Sequence, residues 1–406
     1  MDLVPADVAH PKQLIHAKGV DVKFTEEHEA FRQAVRRLVE EEINPHVNEW
    51  EEAGIFPAHD LFAKLGAIGA IGLEYDPEFG GGGADHSFTY VLAQELGRCD
   101  AAGIPMAIAV QCSMATPALA RYGSEELKRQ WLEPTLRGEM VCSIAVSEPD
   151  AGSDVAGIST RAVRDGDDLV ITGRKMWITN GTQADWICLL ARTDDASKPG
   201  DYHGMSLIIV PTDSPGFSVG RKIDKMGNRS SDTAELVLDG VRVPATNVIG
   251  EPGRGFQQQM NQFQDERLVG AYLAIAGTRR ALDRTKEYLQ DRSAFGKPLL
   301  ANQHLQYRLA ELYAEVDVVD GFLQHTAERF TAGEDVTREA TVAKLKVGRL
   351  AREVADTCVQ FHGGMGYAEE MWVARYYRDA RLVSIGGGAD EVMLRIITLM
   401  EGMTKR

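Results

Sequence analysis

DDLVITGRKMWITNG, Asp167 to Gly181, is the stretch on which the fold turns. Apolar β-branched residues alternate with polar ones between a DG signal at Asp165-Gly166 and an NG signal at Asn180-Gly181, the pattern of a strand between turns. The runs DWICLLA, GMSLIIVP and AELVLDGVRVP repeat it, so the chain from about Cys142 to Gly250 reads as a compact β domain. On either side the period changes. HEAFRQAVRRLVEEEINPHV and HDLFAKLGAIGAIGL before it carry apolar residues at helical spacing. Three longer helical patterns follow it, beginning at Phe256, Asn302 and Arg338. The helical parts are too long to be crossovers in a parallel sheet, which disfavours a doubly wound dinucleotide fold. The expected class is α+β, mostly α, with a leader over residues 1–24, an N-terminal helical domain over 25–140, a central β domain over 141–252 and a C-terminal helical bundle over 253–406.

Composition narrows the function. Forty-four Lys and Arg against 60 Asp and Glu give a formal charge of −16, which repels a phosphate backbone and excludes nucleic acid as a partner. Five cysteines, Cys99, Cys112, Cys142, Cys188 and Cys358, form no CxxC pair and suit buried thiols in a reducing cytoplasm. No metal site is expected, since His362 has no Cys, His or carboxylate at ligand spacing. The opening residues lack the features of a signal or transit peptide. Apolar runs are interrupted well short of about 18 residues, so no membrane insertion is expected.

Four stretches carry chemistry. VSEPDAGSD, Val146 to Asp154, reads on its own as a surface turn, or as a loop whose Ser and backbone N–H groups meet an anion or a polar ring edge. KMWITNG sets Trp177 and Thr179 two residues apart, on one strand face, where a flat heteroaromatic ligand would fit as well as a half-buried core Trp. DRSAFGKP, followed by Gln303, reads as a charged helix end, and VQFHGGMGY lacks the context of a dinucleotide fingerprint. Together with TEEHEAFRQAVRRLVEEEINP and YRDARLVSIGGGADE, these stretches resemble the acyl-CoA dehydrogenase family over nearly the whole chain.

The resemblance implies a central β-barrel-like domain, a C-terminal four-helix bundle, a homotetramer, and FAD held without a Gly-rich phosphate loop. It implies FAD contacts from Val146, Ser147, Gly152, Ser153, Trp177, Ile178 and Thr179. It also implies contacts from Arg292, Phe295, Gln303, Gln360, Phe361, His362, Gly363, Gly364, Ala389 and Glu391, partly across a subunit interface. The family reaction takes a proton from Cα of an acyl-CoA while a hydride leaves Cβ for the flavin, giving a trans-2-enoyl-CoA and passing electrons to an electron-transfer flavoprotein. In many members the base is a Glu before the glycine of an IYEGT-like stretch; here that position is Gly387.

Other members, resembling isovaleryl- and long-chain enzymes, carry the base on a helix of the C-terminal bundle, and Glu266 in FQDERLVGAYL matches it. Phe263, Val269, Gly270 and Leu273 share its helix face, an apolar stripe on which burial would raise the carboxyl toward neutrality. Gly387 would then keep only a backbone N–H for the thioester oxygen, while Ser153, Phe263 and Arg267 face the substrate. EINPHVNEWE, GIPMAIAVQ and VSIGGGADEVML resemble citronellyl-CoA dehydrogenase-like members and point to a long or methyl-branched acyl chain. An oxidase or monooxygenase on the same fold, and a non-catalytic FAD- or acyl-CoA-binding protein, are the alternatives.

Overall fold

Residues 24–404 are described in a computed structural model of the chain; the leader, apart from Phe24, lies outside them. The first part is helical: α1 (Glu26–Leu38), α2 (Val47–Ala53), α3 (Ala58–Ala67), α4 (His86–Leu96), α5 (Gly103–Ala109), α6 (Thr116–Tyr122) and the short α7 (Glu125–Leu127) and α8 (Glu133–Leu136). Thr25 starts α1 with a capping box shared with His28, satisfying N–H groups that the first turn leaves free.

A π-helical turn, Val110–Ala115, joins α5 to α6. Its cause is local: Pro117 has no N–H to give the carbonyl four residues earlier, so the helix widens just ahead of it. The joined rod, Gly103–Tyr122, is long and apolar enough to cross a membrane, contrary to the reading that no segment reaches that length. Gln111 and Thr116 interrupt the apolar run without interrupting the helix. Since 78% of its most apolar window is buried inside the protein, it is a core helix.

Eight strands follow: β1 (Cys142–Ala145), β2 (Arg161–Asp165), β3 (Asp168–Thr179), β4 (Trp186–Arg192), β5 (Met205–Pro211), β6 (Phe217–Lys222), β7 (Thr233–Pro244) and β8 (Val248–Ile249). Their order is β6-β7-β3-β2-β4-β5-β8, with β1 paired parallel to β4. One register pair, Arg161 with Arg192, links the two halves, which fold over a shared core. Ile187, Leu189, Ile208 and Val210 face that core from one half, and Ile171, Leu236 and Val241 face it from the other. The alternate residues Trp186, Cys188, Leu190, Leu207 and Ile209 pack instead with the N-terminal helices. Burial on both faces is why WICLLA and SLIIV are apolar throughout. Trp186 Nε1 donates to Thr135 Oγ1 at 3.0 Å, fastening β4 to α8.

The last part is built on α9 (Gly255–Asp291), α10 (Gln303–Thr331) and α11 (Thr337–His362), with α12 (Trp372–Ala380) and α13 (Asp390–Met400) against α11. β9 (Ser293–Ala294) and β10 (Lys297–Pro298) form a small hairpin after α9. α9 begins where only glycine fits, since a Cβ on Gly255 would stand 2.5 Å from Leu207 N. The start of α9 is thereby pressed onto β5.

Candidate active site

Glu266 lies on α9 where all three parts meet. It is 9% exposed, and its charge reaches Cys188 on β4. Gln259 and Gln262, seven and four residues earlier, fall on its helix face, and their Nε2 atoms donate to Glu266 Oε1 at 3.1 and 3.0 Å. Gln262 Nε2 also donates to the Met114 carbonyl, presented by the π turn. Burial pushes the Glu266 carboxyl up to about 8, against the pull of the Gln262 donor. A carboxylate near neutrality in an apolar site is suited to general-base chemistry.

Space opens one turn further along the helix. A Cβ on Gly270, one turn along α9, would meet nothing within 4 Å. Gly270 lines an apolar cavity of about 130 Å³ with Leu273, Ala274, Leu96, Met106 and Val383. A second cavity, of about 330 Å³, lies on the Asp265 side of α9 between Leu92 and Val269 on one wall and Glu74, Thr89 and Arg121 on the other. Burial pushes Asp265 up to about 6, although nearby His86 and Arg121 favour its charge. Glu74, His86 and Asp265 present atoms within 4.8 Å of one another, a cluster missed by the sequence reading of metal sites. Both imidazole nitrogens of His86 already have partners, Glu74 at 2.8 Å and the Tyr272 hydroxyl at 3.3 Å, and Asp265 Oδ2 lies 3.6 Å from Arg121, while Asp265 Oδ1 is buried without a partner.

The three glycines of SIGGGAD form the turn between a 3₁₀ segment, Arg381–Ser384, and α13. Gly387 and Gly388 have φ of +62° and +100°, left-handed backbone that explains the interruption of the helical pattern. Gly387 is exposed, with nothing within 4 Å of an added Cβ. Lys344 on α11 donates to the Gly388 carbonyl and lies close enough to feel the charge of Arg267, so the glycine turn and Arg267 adjoin one lysine. Burial lowers Lys344 to about 8. Phe263 and Arg267 are both half-buried, the guanidinium 5.8 Å from the Phe263 ring centroid.

The other predicted residues fall on loops and strand ends. Glu148, within the Val146–Asp154 loop, bonds Lys175 on β3 at 2.9 Å, and Met176 N donates to Ser147 O at 2.9 Å, so this loop is laced to the strand that carries Trp177. Gly152 and Ser153 are exposed, and Val146 and Ser147 half-buried. The simple alternation expected across Trp177 does not hold. The pairing with β7 shifts between Lys175 and Ile178, and Trp177 bulges out at φ +66°. The outcome still sets Trp177, 62% exposed, and half-buried Thr179 apart from buried Ile178. Phe295 is fully exposed at the tip of the β9–β10 turn, and Arg292 and Gln303 are exposed beside it. His362 is buried, stacked on Tyr288 at 4.1 Å between ring centroids, while Gln360, Gly363 and Gly364 are exposed and Phe361 half-buried. Ala389 and Glu391 flank the start of α13.

Three family models match in sequence: the acyl-CoA dehydrogenase N-terminal domain over residues 25–139, the middle domain over 143–241 and the C-terminal domain over 253–399. The chain belongs to the acyl-CoA dehydrogenase family. It is similar to the probable acyl-CoA dehydrogenase YngJ of Bacillus subtilis, 36% identical and covering 93% of this chain and 98% of that one. The mitochondrial long-chain specific acyl-CoA dehydrogenase of Sus scrofa is also 36% identical, over 93% of this chain and 87% of its own. Among solved structures, the acyl-CoA dehydrogenase from Geobacillus kaustophilus superposes with a TM-score of 0.90 at 39% identity, covering 94% of this chain and all of that one. A glutaryl-CoA dehydrogenase from Mycobacterium smegmatis in complex with FADH2 gives 0.86 at 31% identity, covering 93% and 95%.

As a member of this family the protein is an oxidoreductase and a flavoprotein that uses FAD and acts on acyl-CoA. The residues present fit such a group. Trp177 bears strained backbone yet leaves its indole uncovered, which core packing does not explain. His362 Nε2 is buried with no partner, and the neighbouring Gly363 and Gly364 leave open space where side chains would stand. Sequence reasoning missed Gln259, Gln262, Asp265 and Lys344. The signal for the first two was the glutamine-rich GFQQQMNQFQ, with amides four and seven residues before Glu266.

Proposed function

We propose that this enzyme oxidises the Cα–Cβ bond of a long-chain or methyl-branched acyl-CoA to the trans-2-enoyl-CoA, with Glu266 taking the Cα proton and an electron-transfer flavoprotein receiving the electrons. The observation that carries this reading is a buried carboxylate held through one oxygen by two amides, one helical turn from Gly270, which lines an apolar cavity. FAD, when bound, supplies the hydride acceptor. Val146, Ser147, Trp177 and Thr179 would hold its ring system, and Arg292, Gln303 and Gln360 its polar end. Gly387 would offer its N–H to the thioester oxygen. The likeness to long-chain relatives supports the chain-length reading, and five free cysteines support a reducing, cytoplasmic setting. The test is a steady-state survey of straight and methyl-branched acyl-CoA substrates with either an electron-transfer flavoprotein or O₂ as acceptor. Turnover of long or branched substrates only with the flavoprotein is expected. Fast peroxide formation with no other acceptor would make the protein an oxidase, and no turnover of any acyl-CoA would end the reading.

A further inference from the structure

Two buried amides converge on one oxygen of Glu266. Gln259 and Gln262 both donate to Oε1, whereas Oε2 has no hydrogen-bond partner among the described residues. The arrangement is costly elsewhere, because Oε1 of each glutamine is buried without a partner. Turning either amide over would aim its oxygen at the carboxylate and its N–H₂ away, so the unsatisfied acceptors go with the orientation that serves Glu266. Gln262 is fixed by a further bond to the Met114 carbonyl, and Gln259 is 1% exposed. Neither can swing into solvent.

We infer that Gln259 and Gln262 are positioning residues that hold Oε1, leave Oε2 as the atom that accepts the proton, and set the pH at which Glu266 ionises. This rests on the reading of Glu266 as base. Donors to the charged form favour it, opposing the burial that disfavours it. Asp265 on the same helix acts the other way, since its negative charge favours protonated Glu266. The remaining groups are Arg267 beside Glu266 on α9, Cys188 on β4, Lys344 on α11 acting on Arg267, and His86, Arg121 and Glu74 acting on Asp265. Glu266 thus sits between two amides that lower its proton affinity and one carboxylate that raises it.

The experiment uses holoenzyme and two readouts. One is the pH dependence of kcat/KM. The other is direct titration of the Glu266 carboxyl by infrared difference spectroscopy against Glu266→Gln. Gln259→Leu, and separately Gln262→Leu, should move the carboxyl titration and the rising limb of kcat/KM to higher pH by about one unit, the scale of one lost bond to a charged group. Activity near pH 7 should fall about tenfold and return at high pH. Asp265→Asn should move both to lower pH. An equal loss at every pH with an unmoved titration would make the glutamines structural only and overturn the inference. The reading of Glu266 as base fails separately, if Glu266→Gln keeps full activity while the titration still shifts in the glutamine variants.

Discussion

Gly270 is a helix-interior glycine without a packing reason to be one. An added Cβ meets nothing within 4 Å, yet glycine costs about 1 kcal/mol against alanine in such a position. It lies one turn from Glu266 and lines an apolar cavity. Gly270→Ala should therefore raise the melting temperature, by a stability gain of up to about 1 kcal/mol. Gly270→Leu should cut kcat/KM for long-chain acyl-CoA at least about tenfold more than for short-chain, a pocket effect of the size that extra methylenes produce. An equal loss at all chain lengths would contradict the placement of the acyl chain. The apolar stripe of Phe263, Val269, Gly270 and Leu273 was readable from helical periodicity alone. The continuation of that face into buried Gln259 and Gln262 was not, because a pattern of apolar positions counts glutamine as solvent-facing. Their burial goes with the bonds they make, both to the Glu266 carboxylate and, from Gln262, to the Met114 carbonyl.

At the level of elements, the loop Val146–Asp154 depends on a buried ion pair. Glu148 accepts bonds from Lys175 Nζ, Ser159 N and Thr160 N at 2.7–2.9 Å, and Lys175 Nζ also donates to the Val146 carbonyl. Burial alone would raise Glu148, but the Lys175 charge and these donors outweigh it and hold the carboxyl down to about 2. A carboxylate with a depressed pKa adds stability above its ordinary range near 4.5, and that stability is lost as pH falls through about 2. Acid unfolding followed by circular dichroism should show this component in the wild type and lack it in Glu148→Gln. Lys175→Met should strand Glu148 and cost about 3–5 kcal/mol in chemical denaturation, with part recovered in the double variant with Glu148→Gln. An unchanged midpoint would mean that the pair does not hold the loop. SEPDAGSD taken alone read as a surface turn, because the partner that buries Glu148 is 27 residues away on β3. Strands β4 and β5 were readable because burial on both faces makes their sequences apolar throughout. The Trp177 bulge was not, since pairing with β7 sets it.

Over the whole molecule, the α, β, α order followed from the change of apolar period at the two ends of the β domain. The meeting of the three parts at Glu266 did not, because Met114, Cys188 and Glu266 are far apart in sequence and each is ordinary within its own segment. Some exposed features point beyond one chain. Phe295 is fully exposed at a left-handed position, and Tyr367 is 92% exposed. We propose that these surfaces meet other copies in a homotetramer. Light scattering on the holoenzyme should give four times the 44.5 kDa chain mass, and a monomer that binds FAD and turns over would contradict it. The central claim is that Glu266 takes the Cα proton. It is tested most directly by anaerobic stopped-flow mixing of a long-chain acyl-CoA with FAD-loaded wild type and Glu266→Gln, following bleaching of the flavin absorbance. Loss of a general base predicts bleaching slowed by at least about 10² to 10⁴-fold, with FAD still bound. Bleaching at the wild-type rate would contradict it.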